Sequence, residues 1–180
     1  MSYEAGFKST LFDSFRLNAA AFTYEVSDIQ LTAVGGGGNL VQLINANKGK
    51  ASGFEIDAEW APIDNLVFTG GYSYVDSEID DSALAVGICA QCTVTNPLVT
   101  INGSQRALVD GNPFPNAPES IANFTARYAI PLGNGGELFA FTDWAFQGKT
   151  NLFIYESREF QTKDQFDGGL KVGWTNTEGT

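Results

Sequence analysis

Apolar and polar side chains alternate along most of this chain, most cleanly over 52–76, SGFEIDAEWAPIDNLVFTGGYSYVD. Successive side chains of a strand point to opposite faces, so Phe54, Ile56, Ala58 and Trp60 fall on one face and Glu55, Asp57 and Glu59 on the other. The stretch 61–65 (APIDN) makes a tight turn, because Pro presets φ and Asp and Asn cap turn backbone. The return strand sets Leu66, Phe68, Gly70, Tyr72 and Tyr74 against Val67, Thr69, Gly71, Ser73 and Val75. Upstream, Tyr3, Ala5, Phe7, Ser9 and Leu11 alternate with Glu4, Gly6, Lys8 and Thr10 in a first strand, and Asp13-Ser14 forms a short turn. Phe15 opens a long strand whose alternation is good at first and blurs after Tyr24. The four glycines at 35–38 read as a hairpin tip, and 39–51 leads back into the strand ending at Trp60. Both arms of that hairpin far exceed the roughly five or six residues usual in soluble proteins. A face with an aromatic at its end and acids behind it suits a wall between lipid and water, whereas a soluble sheet would cover it with a second layer.

After Asp76 the pattern stops. The segment 77–118 is rich in Gly, Asn, Pro and small side chains without a clean period, and reads as a long loop. Such a loop counts against a compact soluble domain, but outer-membrane barrels carry long external loops opposite short periplasmic turns. Alternation then resumes. Ala122, Phe124, Ala126, Tyr128 and Ile130 oppose Ile121, Asn123, Thr125, Arg127 and Ala129. Beyond the turn PLGNGG at 131–136, Leu138, Ala140, Thr142, Trp144 and Phe146 oppose Glu137, Phe139, Phe141, Asp143 and Ala145. Beyond a medium loop at 148–163, Phe166, Gly168, Leu170, Val172 and Trp174 oppose Asp167, Gly169, Lys171 and Gly173, and 175–180 reads as one more turn. Short and long connections therefore alternate, giving one short-turned rim and one long-looped rim. Trp60, Tyr128 and Trp174 sit near short turns at one level, as membrane-interface aromatics do. On the other face Glu55, Asp57, Glu59, Arg127, Asp143, Asp167 and Lys171 line a wet lumen. The predicted fold class is all-β: an antiparallel up-and-down transmembrane β-barrel segment of about seven strands.

Composition narrows the function. The 180 residues carry a formal charge of −11, against the clustered Lys and Arg that nucleic acid requires. No stretch approaches the roughly 20 apolar residues of a membrane helix, and the N-terminus carries no basic-then-apolar leader. The chain has no His, which removes the commonest general base and metal ligand. No Ser/His/Asp set can form, no nucleophile elbow is present, and the chain is read as a non-enzyme without cofactor or metal. Cys89 and Cys92 form a lone C-x2-C pair, poor as a zinc site and lacking a helix start for redox work; they read as a loop disulfide. Glu55, Asp57 and Glu59 stand about 7 Å apart in succession, loosely the spacing of glycosidase carboxylates. A hydrated wall paired with Arg and Lys from neighbouring strands is the simpler reading. Lys48 and Lys50 read as a solvated stretch of strand, and the glycine tip lacks the helix and Lys-Ser/Thr of a phosphate cradle.

The segments YEAGFKST, LNAAAFTYEVSDIQL, NANKGKASGFEIDAEWAPIDNLVFTGGYSYVDSE, PNAPESIANFTARYAIPL and FDGGLKVGWTNTEG resemble the C-terminal barrel region of TonB-dependent outer-membrane receptors. The core at 53–66 and PNAPE at 115–119 are the most telling pieces. The resemblance implies a 22-stranded barrel around an N-terminal plug, which imports scarce ligands such as ferric siderophores, cobalamin or glycans, driven by TonB–ExbB–ExbD. It implies a bacterial outer-membrane location, with membrane lipid, the plug and the remaining barrel strands as partners. Plug, TonB box and final strands are not seen, so 1–180 is expected to be a partial barrel domain that aggregates when expressed alone, through its open edges and apolar wall. Two other readings stand beside this one: a small structural or adhesive outer-membrane barrel, and a soluble all-β binding module.

Overall fold

The computed structural model describes residues 1–133 and 135–176. Asn134 of the PLGNGG turn and residues 177–180 of the expected terminal turn lie outside the described residues. The strands are β1 (Ser2–Leu11), β2 (Phe15–Gly35), β3 (Leu40–Ile63), β4 (Leu66–Asp80), β5 (Ala85–Gly87), β6 (Leu98–Ile101), β7 (Ser104–Leu108), β8 (Ser120–Pro131), β9 (Glu137–Gln147) and β10 (Gln165–Thr175). Seven of them form one antiparallel sheet in the order β1-β2-β3-β4-β8-β9-β10, the meander the alternation predicts. The sheet is open, with β1 and β10 at its edges. The only helical element among the described residues is a 3-10 turn at Arg158–Phe160, and none is long and apolar enough to cross a membrane.

The short turns obey local chemistry. Phe12 and Asp13 both take positive φ (56° and 55°), the requirement of a type I′ hairpin. That turn is centred one residue earlier than the expected Asp13-Ser14. Asn65 holds φ 62° in the turn between β3 and β4. The long hairpin has arms of 21 and 24 residues, more than a bilayer needs at about 3.3 Å per residue.

The blurred pattern after Tyr24 has a definite cause. Asp28 adopts φ 54°, and the Asn47 N–H opposite it donates to Asp81 Oδ2 at 2.9 Å. The face that is covered changes phase there. On β3 the buried position is Ala46 before this point, and Gly49 and Ala51 after it. On β2 the partly buried side chains run through Phe22 and Tyr24, then Ile29, Leu31 and buried Ala33. Two alternating patterns are thus joined out of phase.

The segment 77–118 is folded, not a plain loop. β4 runs on to Asp80, and β5, β6 and β7 make a second sheet in the order β5-β7-β6. These strands are three to five residues long, too short to display a period in the sequence. The one buried core among the described residues lies here: Ala33, Ala46 and Ile79 from the main sheet pack with Val86, Ala107, Val109, Ile154 and Tyr155. The glycine tip is also more than a turn. A Cβ on Gly35 would lie 2.1 Å from the Gly87 carbonyl oxygen, so the tip accepts β5 only because that side chain is missing.

Candidate functional site

Cross-strand register extends each strand's two faces into two continuous surfaces. On the apolar surface Phe15 meets Trp60 and Trp60 meets Phe68; further along, Ala19 meets Ile56 and Ile56 meets Tyr72. The rows continue through Phe124–Trp144 and Phe146–Phe166. Among the described residues no second layer covers this surface: on interior strands Trp60 is 47% and Trp144 40% exposed. Trp60, Tyr128 and Trp174 all lie on it near the short-turned rim, with Trp60 stacked on Phe68 at 5.6 Å. A second aromatic row, absent from the sequence reading, stands toward the other rim. Phe54 packs on Tyr72 and Tyr74 at 5.8 and 5.9 Å, and the register carries the row from Tyr72 through Ala122 to Phe146 and Phe166. Its signal was present in the sequence, as aromatics on the same face three alternate positions from Trp60.

Just past that second row the same surface turns charged. Lys50 pairs with Asp80 at 2.7 Å and Glu78 at 3.4 Å, and Lys48 pairs with Glu25 at 3.0 Å. These lysines are ion-paired cross-strand, not simply solvated as the sequence suggested.

The polar surface carries every predicted wall residue. Glu59 lies opposite Arg16 and Thr69, Asp57 opposite Asn18 and Gly71, and Glu55 opposite Ala20 and Ser73. Thr69 and Thr125 share a hydroxyl hydrogen bond at 2.7 Å, and Thr125 lies opposite Asp143. Arg127 and Lys171 both flank Phe141 and sit over the Phe139 ring at 5.4 and 5.7 Å. Asp167 accepts the Gly168 N–H. The expected pairing with Arg and Lys is only partly present: Glu59 pairs with Arg16 at 3.5 Å and Arg127 with Glu137. Glu55, Asp57, Asp143 and Asp167 have no ion-pair partner among the described residues, because their cross-strand neighbours are Asn, Thr, Ala, Ser or Gly.

The loop core stacks on this polar surface. Ile79 shares the face of Ser73 and Gly71 by alternation along β4, and it is fully buried under the loops. Tyr155, only 1% exposed, donates from Oη to the Val34 carbonyl at 2.8 Å and accepts the Cys89 N–H at 3.1 Å. Burial raises its phenol above the ordinary value, against the opposing effect of the Cys89 bond. Cys89 and Cys92 are paired, with Cα atoms 5.6 Å apart, in the usual disulfide range. Asn112 donates to the Ile154 carbonyl at 2.9 Å and exchanges amide bonds with Asn96. Glu159 accepts both the N–H and the hydroxyl of Thr93, at 2.8 and 2.7 Å, and these bonds hold its carboxyl below the ordinary 4.5. That clamp has a pH signature. A carboxyl whose folded value is depressed stabilises the fold above its unfolded value and loses this as pH falls through the folded value. Hydrogen exchange at the Thr93 amide is therefore expected to accelerate, relative to the β9 amides, as pH drops below 4.5, and Glu159→Gln should remove that dependence. An unchanged Thr93-to-β9 ratio across that range would refute the clamp.

The sequence profile of the family described as "TonB dependent receptor-like, beta-barrel" matches residues 1–177. No curated protein sequence matches the chain. Among solved structures, the ferric yersiniabactin uptake receptor FyuA from Yersinia pestis superposes with TM-score 0.68 at 20% identity, over 98% of this chain and 22% of that one. The siderophore receptor PiuA from Acinetobacter baumannii gives 0.64 at 19% identity, over 95% of this chain and 21% of its own. BauA, the ferric preacinetobactin receptor of the same organism, gives 0.64 at 15%, over 97% and 22%. The chain spans about a fifth of the length of these receptors, and identities this low establish shared fold. With the profile covering nearly every residue, the chain belongs to the TonB-dependent receptor-like β-barrel family.

Proposed function

We propose that this chain is part of the barrel of an outer-membrane importer for a scarce ligand, of the ferric-siderophore class. The observation that carries the reading is the two-faced wall. A bare apolar surface, framed by aromatics at one rim and by aromatics and then ion pairs at the other, suits a lipid-embedded band. Trp60, Tyr128 and Trp174 mark the interface at the short-turned rim. Glu55, Asp57, Glu59, Arg127, Asp143, Asp167 and Lys171 line the lumen, where Glu55, Asp57 and the other unpaired carboxylates stay hydrated. The Cys89–Cys92 disulfide closes a small loop on the external side.

The complete receptor in this reading is a 22-stranded barrel with an N-terminal plug, coupled to TonB–ExbB–ExbD, and 1–180 is one arc of it. The siderophore class is preferred over cobalamin and glycans because one of the three solved neighbours is named a siderophore receptor and the other two a ferric yersiniabactin uptake receptor and a ferric preacinetobactin receptor. An uncovered apolar surface counts against a soluble binding module, which would need a second layer. The test is growth of an iron-starved strain, stripped of its own receptors, carrying the complete protein and supplied with single ferric siderophores. At least one is expected to restore growth, and deletion of tonB to abolish it. An inserted receptor that restores growth with none, or restores it without TonB, would overturn the reading.

A further inference from the structure

Arg106 stands apart from the other charged groups. It lies in β7, the central strand of the small sheet, directly between Gly87 and Val99. It is half-buried, its Nε is inaccessible and has no partner, and its one side-chain bond is a long Nη1 donation to the Ala85 carbonyl at 3.4 Å. A guanidinium carries five N–H donors in a planar fork. No carboxylate forms an ion pair with it among the described residues, although the chain holds 21 acidic and 10 basic residues. A partly desolvated guanidinium without an anion is costly unless something supplies one.

Ala107, the next residue, is fully buried against the wall, so Arg106 is on the opposite face of the small sheet, turned away from the wall. Gly87 across the ladder contributes no side chain, and the backbone of the glycine tip closes on that position, with the Gly36 nitrogen 3.2 Å from where a Cβ would stand. A Cβ at Gly36 or Gly37 would meet nothing within 4 Å. Because the small sheet stacks on the polar surface, the face bearing Arg106 looks toward the barrel mouth; this step rests on the transport reading.

We propose that Arg106 is a ligand-binding residue, whose guanidinium fork takes an oxyanion group, a carboxylate or a phosphate, of the imported molecule. Two parallel N–H···O bonds to such a group are the strongest use of the fork.

The test labels the complete receptor in detergent with phenylglyoxal, which modifies arginine, and reads each site by mass spectrometry with citrate, inorganic phosphate or uncharged glycerol present. Citrate or phosphate is expected to slow labelling of Arg106 saturably, while exposed Arg158 is unaffected and glycerol does nothing. Protection by citrate alone assigns a carboxylate ligand, and protection by phosphate alone a phosphorylated one; either sustains the proposal. By calorimetry, Arg106→Gln should weaken the protecting anion's binding at least about tenfold, with Arg106→Lys in between. If Arg106→Gln fails to insert, labelling of the unaltered receptor decides. No protection, or equal slowing at Arg158, overturns the proposal. Protection in a receptor that supports no uptake would keep the anion site and remove the transport reading; uptake without protection would do the reverse.

Discussion

Ile56→Arg is expected to destabilise the assembled barrel by about 2–4 kcal/mol, whereas Asp57→Asn, one residue on, should change stability by less than about 0.5 kcal/mol. Ile56 lies between the Trp60–Phe68 row and the Phe54–Tyr74 row, opposite Ala19 and Tyr72. It is 38% exposed in the open sheet, with nothing layered over it. Under the importer reading its environment is hydrocarbon, and a guanidinium there must reach a distant interface or carry water with it. Asp57 is on the other surface, beside Asn18, Gly71 and Asn123, and has no ion pair to lose. The measurement is equilibrium unfolding of the complete receptor from lipid vesicles. Equal small losses at both positions would refute the facing, and a large loss only at position 57 would invert it.

The contrast at positions 56 and 57 rests on what alternation could reveal. Strand faces extend over ten or more residues in β1, β8, β9 and β10, and a period of two needs only such a run to be legible. Cross-strand register then follows from short turns, since one slip would turn every apolar side chain to the wrong side. The same logic shows why the pattern failed after Tyr24. Asp28 changes the phase, and nothing in the sequence marks a single Asp for the left-handed region, although Asp tolerates it better than most residues. The loop core was illegible for a different reason. Its members come from residue 33 to residue 155, and β5 to β7 are too short to carry a period. The wall charges were legible as a face, but their partners were not, because ion pairing depends on which strand lies opposite. Lys50 found Glu78 and Asp80 on β4, while Asp57 found Asn18 and Gly71. Arg106 could not be singled out at all, since an unpaired cation is visible only once the acids have been placed.

That separation between a wall written in alternation and a cap written in distant contacts predicts that the two can be broken separately. Tyr155→Ala is expected to cost the loop core about 3–5 kcal/mol, the range for emptying a large buried aromatic site, while leaving the seven-stranded sheet in register. Tyr155 and Ile154 are the fully buried pieces that the segment between β9 and β10 contributes to that core, with Phe153 and Phe160 packed against it. The Tyr155 hydroxyl is also the hydrogen-bonded link from Cys89 to the hairpin tip at Val34. Tyr155→Phe keeps the ring and should cost about 1–3 kcal/mol, because it leaves a buried N–H and a carbonyl unpaired. Hydrogen exchange resolves the two layers. In Tyr155→Ala the amides of β5 and β7 should exchange faster by the factor that matches the lost stability, and those of β8 and β9 should keep their protection. Equal acceleration in β9 would mean that the cap and the wall unfold as one unit. No acceleration in β7 would mean that Ile79, Val86, Ala107 and Val109 hold the cap without the tyrosine. Only the selective outcome fits a cap that rests on the wall without holding it up, since the ladder that joins β4 to β8, from Leu66–Tyr128 to Tyr74–Ser120, uses no loop residue, and the cap's backbone bonds to β4 lie beyond it, at Ile79.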